Sequence, residues 1–147
     1  MTNLNEKEPI QTILRESHTV AIVGLSNDPE RPSYDVAHFL QRRGYRIVPV
    51  NPNISQVLGE PSYPDLLSIP VPVDVVDIFR RSEAVPPIVE QAIQIGAKAV
   101  WMQKGARNEP AAEQARAAGL LVVMDHCMMK ETRRLIDEGL LPERVSP

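Results

Sequence analysis

The sequence predicts an α/β domain built on a doubly wound parallel sheet, and three observations agree on this. Five short apolar runs rich in β-branched residues recur at intervals of 22 to 27 residues. Each run is continuously apolar rather than alternating, which is typical of parallel strands covered by helices on both faces. Segments with a helical spacing of apolar residues separate the runs. Such an alternation of strand and helix favours a parallel sheet of about five strands.

The five predicted strands occupy residues 19–24, 46–50, 73–79, 98–102 and 120–125. Counting them as strands 1 to 5, we expect the spatial order 3-2-1-4-5. In such a sheet, ligands bind past the carboxyl ends of the strands, near the point where the strand order reverses. We therefore expect the functional residues in the loops that follow the strands.

Helices are predicted by apolar side chains that recur on one face. The predicted helical segments lie around residues 10–14, 36–40, 85–92, 111–118 and 135–136. Gly44, Gly96 and Gly119 follow three of them, where a left-handed residue often ends a helix. Asn108 and Pro110 suit a cap and a first helical turn. Residues 51–72 contain five prolines and are predicted to be mostly loop, with a helical turn near residues 65–67.

Composition limits the class of protein. A length of 147 residues with 43% hydrophobic content suits one domain over residues 1–147, with a core from about 10 to 136 and an irregular C-terminal tail. The net charge of −3 argues against a nucleic-acid partner, and no apolar run suggests a membrane helix. A polar N-terminus and a single cysteine fit the cytoplasm. Three scattered histidines and this cysteine predict no metal site.

The loop after the first strand has features of a phosphate site. Gly24 permits a sharp turn, Ser26 offers a hydroxyl, and Ser33 is placed to cap the helix that follows. The free N–H groups and the dipole of a helix start favour an anion, and Arg31 could bind phosphate oxygens. The alternative is an ordinary strand-to-helix turn with a capping serine.

A nicotinamide dinucleotide fits this loop poorly. The loop lacks the glycine pattern of a dinucleotide site, and it also lacks the pattern of a P-loop. A dinucleotide site would place an acidic residue after the second strand to bind the ribose hydroxyls. Asn51 stands there instead.

Six short segments carry a family resemblance. They are residues 21–26 (AIVGLS), 31–34 (RPSY), 48–52 (VPVNP), 76–80 (VDIFR), 101–105 (WMQKG) and 123–127 (VMDHC). Together they resemble the small stand-alone CoA-binding domain family, which is similar to the CoA-binding domain of the succinyl-CoA synthetase α subunit. The resemblance covers about residues 10–136. It implies a Rossmann-like fold with coenzyme A as the cofactor.

The resemblance also implies where each part of coenzyme A would lie. For the pyrophosphate it implies Gly24, Ser26, Arg31, Pro32, Ser33 and Tyr34; for the adenosine, Val50, Asn51, Pro52, Phe79 and Arg80; for the pantetheine, Met102, Gln103 and Gly105. The 3′-phosphate of coenzyme A favours cations where a dinucleotide needs an acid. Arg31 and Arg80 are the preferred cations because both lie in the matching segments.

The resulting hypothesis is a module that binds coenzyme A or an acyl-CoA and acts as a carrier, a sensor or a partner module. It would work with another protein or as a homo-oligomer. We identify no catalytic constellation. Cys127 is kept as a candidate thiol site because it lies in a matching segment, although a partly buried structural role is favoured for it. Asp77 is also expected to be structural. The alternatives are a small NAD(P)-dependent oxidoreductase and an interaction domain with a degenerate nucleotide site.

Overall fold

The computed structural model describes residues 2–142, with side chains from residue 7. The strands are β1 (Thr19–Val23), β2 (Arg46–Val50), β3 (Gln56–Val57), β4 (Glu60–Pro61), β5 (Val75–Ile78), β6 (Ala99–Met102) and β7 (Leu121–Met124). The helices are α1 (Thr2–Glu16), α2 (Pro32–Arg42), α3 (Val85–Gln94), α4 (Glu109–Ala117) and α5 (Met128–Asp137). The predicted α/β class with a five-stranded parallel sheet is confirmed.

The predicted strand order is wrong. The sheet runs β2-β1-β5-β6-β7, so the five predicted strands stand in the order 2-1-3-4-5. The physical reason lies at the outer edge of β2, which the chain covers soon after leaving that strand. The Tyr63 N–H donates to Pro49 O (3.0 Å), and the Asn51 N–H donates to Tyr63 O (2.9 Å). The next long strand, β5, therefore pairs with the other side of β1, and the winding reverses between β1 and β5.

Helices cover both faces of the sheet. The apolar faces of α3 and α4 share one buried cluster with alternate strand residues such as Val76 and Val100. The apolar faces of α1, α2 and α5 share the other cluster with Ile22, Val75 and Trp101. Each strand therefore buries side chains on both sides, as its continuous apolar sequence predicts.

The five predicted helices are present. The side chain of Asn108 caps α4, since its Oδ1 accepts a hydrogen bond from the Ala111 N–H (3.0 Å). The turn expected near residues 65–67 is a 3-10 turn at Leu66–Ser68, and the short hairpin of β3 and β4 was not predicted. Most of the predicted irregular tail, residues 143–147, lies outside the described residues. None of the described helices has the length and apolarity needed to cross a membrane.

Candidate ligand-binding site

Gly24 brings the ends of β1 and β5 together. Its φ is +88°, and a Cβ added there would lie only 2.3 Å from the carbonyl oxygen of Phe79. The Phe79 N–H donates to Val23 O (2.8 Å), and the Gly24 N–H donates to Val50 O (2.9 Å). Glycine is therefore needed for a close backbone approach between the loops after β1 and β5.

The prediction that Ser33 caps α2 is wrong. The N-cap residue is Arg31, whose side chain makes no capping hydrogen bond, and Pro32 follows at the first helical position. The buried Ser33 Oγ instead accepts a hydrogen bond from the Ser26 N–H (3.0 Å). Proline favours the first helical position, so Pro32 was the sequence signal that places the cap at residue 31. The start of α2 thus has no side-chain acceptor at its cap position.

The loop before α2 is ordered by its own side chains. Ser26 Oγ accepts from the Asp28 N–H, and Asp28 Oδ1 accepts from the Glu30 N–H, each at 3.0 Å. Asn51 ties this loop to the one after β2, because its Nδ2 donates to Leu25 O (3.0 Å) while its Oδ1 accepts from the Asn53 N–H (2.9 Å). Both ends of the Asn51 amide are therefore engaged within the protein.

A cavity of about 280 Å³ opens beside the carboxyl ends of β1 and β2, against α3. The predicted site residues Val50, Pro52 and Arg80 line it. Its other walls were missed by sequence reasoning and are formed by Val23, Pro64, Asp65, Leu66, Pro87, Ile88 and Gln91. Their positions depend on how residues 51–72 fold back over the sheet. The sequence signal that could have pointed to these walls was the prolines of residues 51–72 and of the start of α3.

Arg80 lies between this cavity and the loop that follows β1. Its Nε is 3.3 Å from the position that a Cβ on Gly24 would occupy. Among the described side chains and backbone groups, its guanidinium has no hydrogen-bond or ion-pair partner. Arg107 differs, because it pairs with Asp125 Oδ2 and Glu109 Oε1, each at 2.6 Å. Arg80 is thus a cation available at the switch point, half-buried and facing an apolar cavity.

The residues implied for pantetheine differ in their exposure to solvent. Met102 is fully buried in the core, and Gln103 is only 6% exposed. Gly105 is exposed, with a φ of +90°. A ligand passing here would therefore meet Gly105 directly, whereas the side chains of Met102 and Gln103 face the interior.

Gln103 is held by Asp77. Gln103 Nε2 donates to Asp77 Oδ1 (2.8 Å), and Asp77 Oδ2 has no hydrogen-bond partner among the described residues. Burial of the whole side chain raises the pKa of Asp77 to about 7, although the hydrogen bond from Gln103 lowers it in part. The structural role expected for Asp77 is consistent with this position in the sheet.

Cys127 stands at the N-cap of α5, partly buried against the cluster that α5 shares with the sheet. The imidazole of the adjacent His126 lies next to Glu131, with His126 Nδ1 3.5 Å from Glu131 Oε2. Across the described part of the chain, no three His, Cys, Asp or Glu side chains lie together as metal ligands would. A reaction at the Cys127 thiol stays a prediction.

Comparison with known proteins shows to which family this domain belongs. A family model described as "CoA binding domain" matches residues 18–133. The chain belongs to this CoA-binding domain family. The resemblance carried by the six sequence segments is therefore confirmed, and the matched range contains every residue of the candidate site.

Two relatives cover nearly the whole domain. The uncharacterized protein YneT of Bacillus subtilis (strain 168) is 40% identical over 122 residues, which is 83% of this chain and 90% of that protein. A solved structure, a hypothetical protein from Pyrococcus horikoshii OT3, is 43% identical with a TM-score of 0.85, and the match covers 88% of this chain and 91% of that one. Both matches therefore extend over about nine tenths of the relative's own length.

A third relative is much longer than this CoA-binding domain. The acetate–CoA ligase [ADP-forming] II subunit alpha of Pyrococcus furiosus is 29% identical over 108 residues. The match covers 73% of this chain but only 24% of that subunit. The chain thus spans about a quarter of the ligase subunit.

Proposed function

We propose that this domain binds coenzyme A or an acyl-CoA through its strand-end loops, and that it serves as a carrier, sensor or partner module without catalysis of its own. The observation that carries the proposal is Arg80, a half-buried cation without a protein partner among the described residues. Its side chain lines the apolar cavity and lies beside Gly24, where the loops after β1 and β5 meet.

The start of α2 supports a site for the diphosphate. The helix has 11 residues, and no side chain caps its first turn. Pro32 has no N–H, and the Tyr34 N–H donates to Arg31 O (3.0 Å). The Ser33 N–H and the positive end of the helix dipole are what favour an anion here. The exposed side chain of Arg31 lies at the same helix end. Asp35 in the first turn competes with such an anion, while Arg80 adds a second cation next to Gly24 in the loop that leads to this helix.

The cavity supports a site for the adenine ring. Its walls are apolar at Val50, Pro52 and Ile88, with polar groups from Asp65 and Gln91 at the side. Small-molecule sites in proteins combine such a mainly apolar lining with few polar groups. A ring seated here would place the ribose close to Arg80, and so its 3′-phosphate close to the guanidinium.

Coenzyme A fits this charge pattern better than NAD does. A dinucleotide needs a carboxylate for its ribose hydroxyls at the end of the second strand. Asn51 occupies that place, and both ends of its amide are engaged by protein groups. A ribose 3′-phosphate instead needs a cation, and Arg80 can provide it.

Replacing Arg80 with alanine is expected to weaken the binding of coenzyme A by about tenfold or more, because a hydrogen bond to a charged group contributes about 1.5–3 kcal/mol. Titration calorimetry with coenzyme A and with 3′-dephospho-CoA measures the effect. The unchanged protein should prefer coenzyme A, and the Arg80→Ala variant should bind the two ligands almost equally. Arg81→Ala is the matched control, since Arg81 is exposed and does not line the cavity.

Three results would count against the proposal. Absence of binding of coenzyme A and acetyl-CoA at millimolar concentration would remove it. Tighter binding of NADPH than of coenzyme A would favour the oxidoreductase. Equal affinity for coenzyme A and dephospho-CoA would remove the role of Arg80. Native and denaturing mass spectrometry of the purified protein would also show a retained ligand, or a covalent adduct at Cys127.

A further inference from the structure

A second concave surface lies between α2 and α5, away from the cavity at Arg80. This groove, with a volume of about 490 Å³, is called the α2–α5 groove. It is lined by Asp35, His38, Phe39, Arg42, Arg43, Met129 and Arg133. Of its arginines, Arg42 and Arg133 make no ion pair among the described residues, in a chain whose net charge is −3. The groove is therefore a local positive patch on an acidic protein.

Two of these arginines are held against an aromatic ring. The guanidinium carbon of Arg43 lies 4.7 Å from the centroid of Phe39, and that of Arg133 lies 5.2 Å from it. Arg43 has a further interaction of its own, so Arg133 is the stacked arginine that matters for a ligand. Stacking reduces its side-chain freedom while the N–H groups at its edge can still donate to carboxylates. The ring therefore preorganises Arg133 to bind acidic groups.

The groove also has an apolar part. Phe39 and Met129 are only partly buried, and both pack on the core cluster beneath them. Arginine, aromatic residues and methionine are enriched where proteins meet, and aromatic and arginine side chains often dominate the binding energy. A free phosphate would make no use of the apolar part. A long nucleic acid would be repelled by the acidic remainder of the chain.

The groove begins beside the carboxyl ends of the parallel strands, the edge at which ligands of this fold bind. Helices α2 and α5 follow the parallel strands β1 and β7, so both start at the carboxyl ends of the strands. Tyr34, in the first turn of α2, has its ring 6.1 Å from that of His38 in the groove. A protein bound in the groove would thus reach towards the edge at which ligands of this fold bind.

We propose that the α2–α5 groove docks an acidic segment of another protein, in which carboxylates flank an apolar side chain. The carboxylates pair with Arg42 and Arg133, and the apolar side chain packs on Phe39 and Met129. This inference goes beyond the binding of coenzyme A and stands without it, because none of its residues lines the Arg80 cavity.

The probe is a fluorescent peptide rich in glutamate with two central leucines, measured by anisotropy. The expected result is saturable binding that weakens as salt screens the charges. The Arg42→Glu/Arg133→Glu double variant should bind at least about tenfold more weakly. Arg116→Glu, on the exposed side of α4, is the control and should leave the affinity unchanged. Thermal melting of both variants checks that they fold.

Two further peptides separate the contributions: one carries glutamine for glutamate, the other serine for leucine. Both should bind more weakly than the first peptide. The inference is overturned if no peptide binds at millimolar concentration, or if the double variant binds as the unchanged protein does. It is overturned equally if inorganic polyphosphate binds in the groove more tightly than the peptide. Sedimentation showing a dimer that the double variant dissociates would assign the groove to a second copy of the chain, which also overturns it.

Discussion

Replacing Gly24 with alanine is expected to destabilise the domain by about 3 kcal/mol, since two costs add. An L-residue in the left-handed conformation costs about 1–2 kcal/mol, and Gly24 has a φ of +88°. Overpacking typically costs a further 1–3 kcal/mol or so, and the new Cβ would lie 2.3 Å from the Phe79 carbonyl oxygen. Backbone on both sides must move to relieve the contact. Urea unfolding of the variant measures the loss.

Gly119→Ala is the control that isolates the first cost. Its φ is +92°, and a Cβ added there would meet nothing within 4 Å. It should therefore lose only the conformational part, about 1 kcal/mol. A loss at Gly24 no larger than that at Gly119 would show that the approach of β1 to Phe79 is not tight. The Gly24 variant should also bind coenzyme A more weakly, because the loops after β1 and β5 can no longer meet.

The elements of this fold could be predicted from local sequence, and their arrangement could not. Burial on both faces makes each strand continuously apolar, so the positions of the long strands follow directly. The neighbour of a strand depends on contacts distant in sequence. Here Tyr63 occupies the outer edge of β2, and β5 joins β1 instead. No periodicity within residues 51–72 reveals that backbone pairing.

The candidate site, like the fold, could be predicted from the sequence only in part. Gly24 and Arg80 could be singled out because they follow strands, where ligands of this fold bind. The N-cap position falls at Arg31 and not at Ser33 because Pro32 occupies the first helical position. The far wall of the cavity, including Pro64 and Leu66, comes from a segment whose path over the sheet is set by tertiary packing. Sequence alone gave no reason to place it there.

Asp77 should make the domain less stable as the pH rises from about 4 to about 7, and Asp77→Asn should remove this dependence. Burial raises the pKa of this carboxyl from 3.8 to about 7 in the folded state. Between those values the folded protein keeps a proton that the unfolded chain has lost, so a rising pH favours unfolding. Above about pH 7 the penalty is constant, on the order of 4 kcal/mol.

The amide variant keeps the shape of the side chain and can still accept the hydrogen bond from Gln103. Denaturant unfolding at several pH values should therefore give similar stabilities for both proteins near pH 4, and a more stable variant near pH 8.

Asp74→Asn, directly before the same strand, is the matched control. Asp74 accepts hydrogen bonds from the N–H groups of His18 and Thr19, and its pKa is lowered in the folded state: burial raises it, but these bonds and Lys98 outweigh burial. Its stabilisation is present above the unfolded pKa and is lost as the pH falls, so the amide there should destabilise the neutral protein. If Asp77→Asn did not stabilise the protein near pH 8, the buried carboxyl of Asp77 would be ionised at neutral pH without cost. Its unpartnered oxygen would then need a donor that the described residues do not supply.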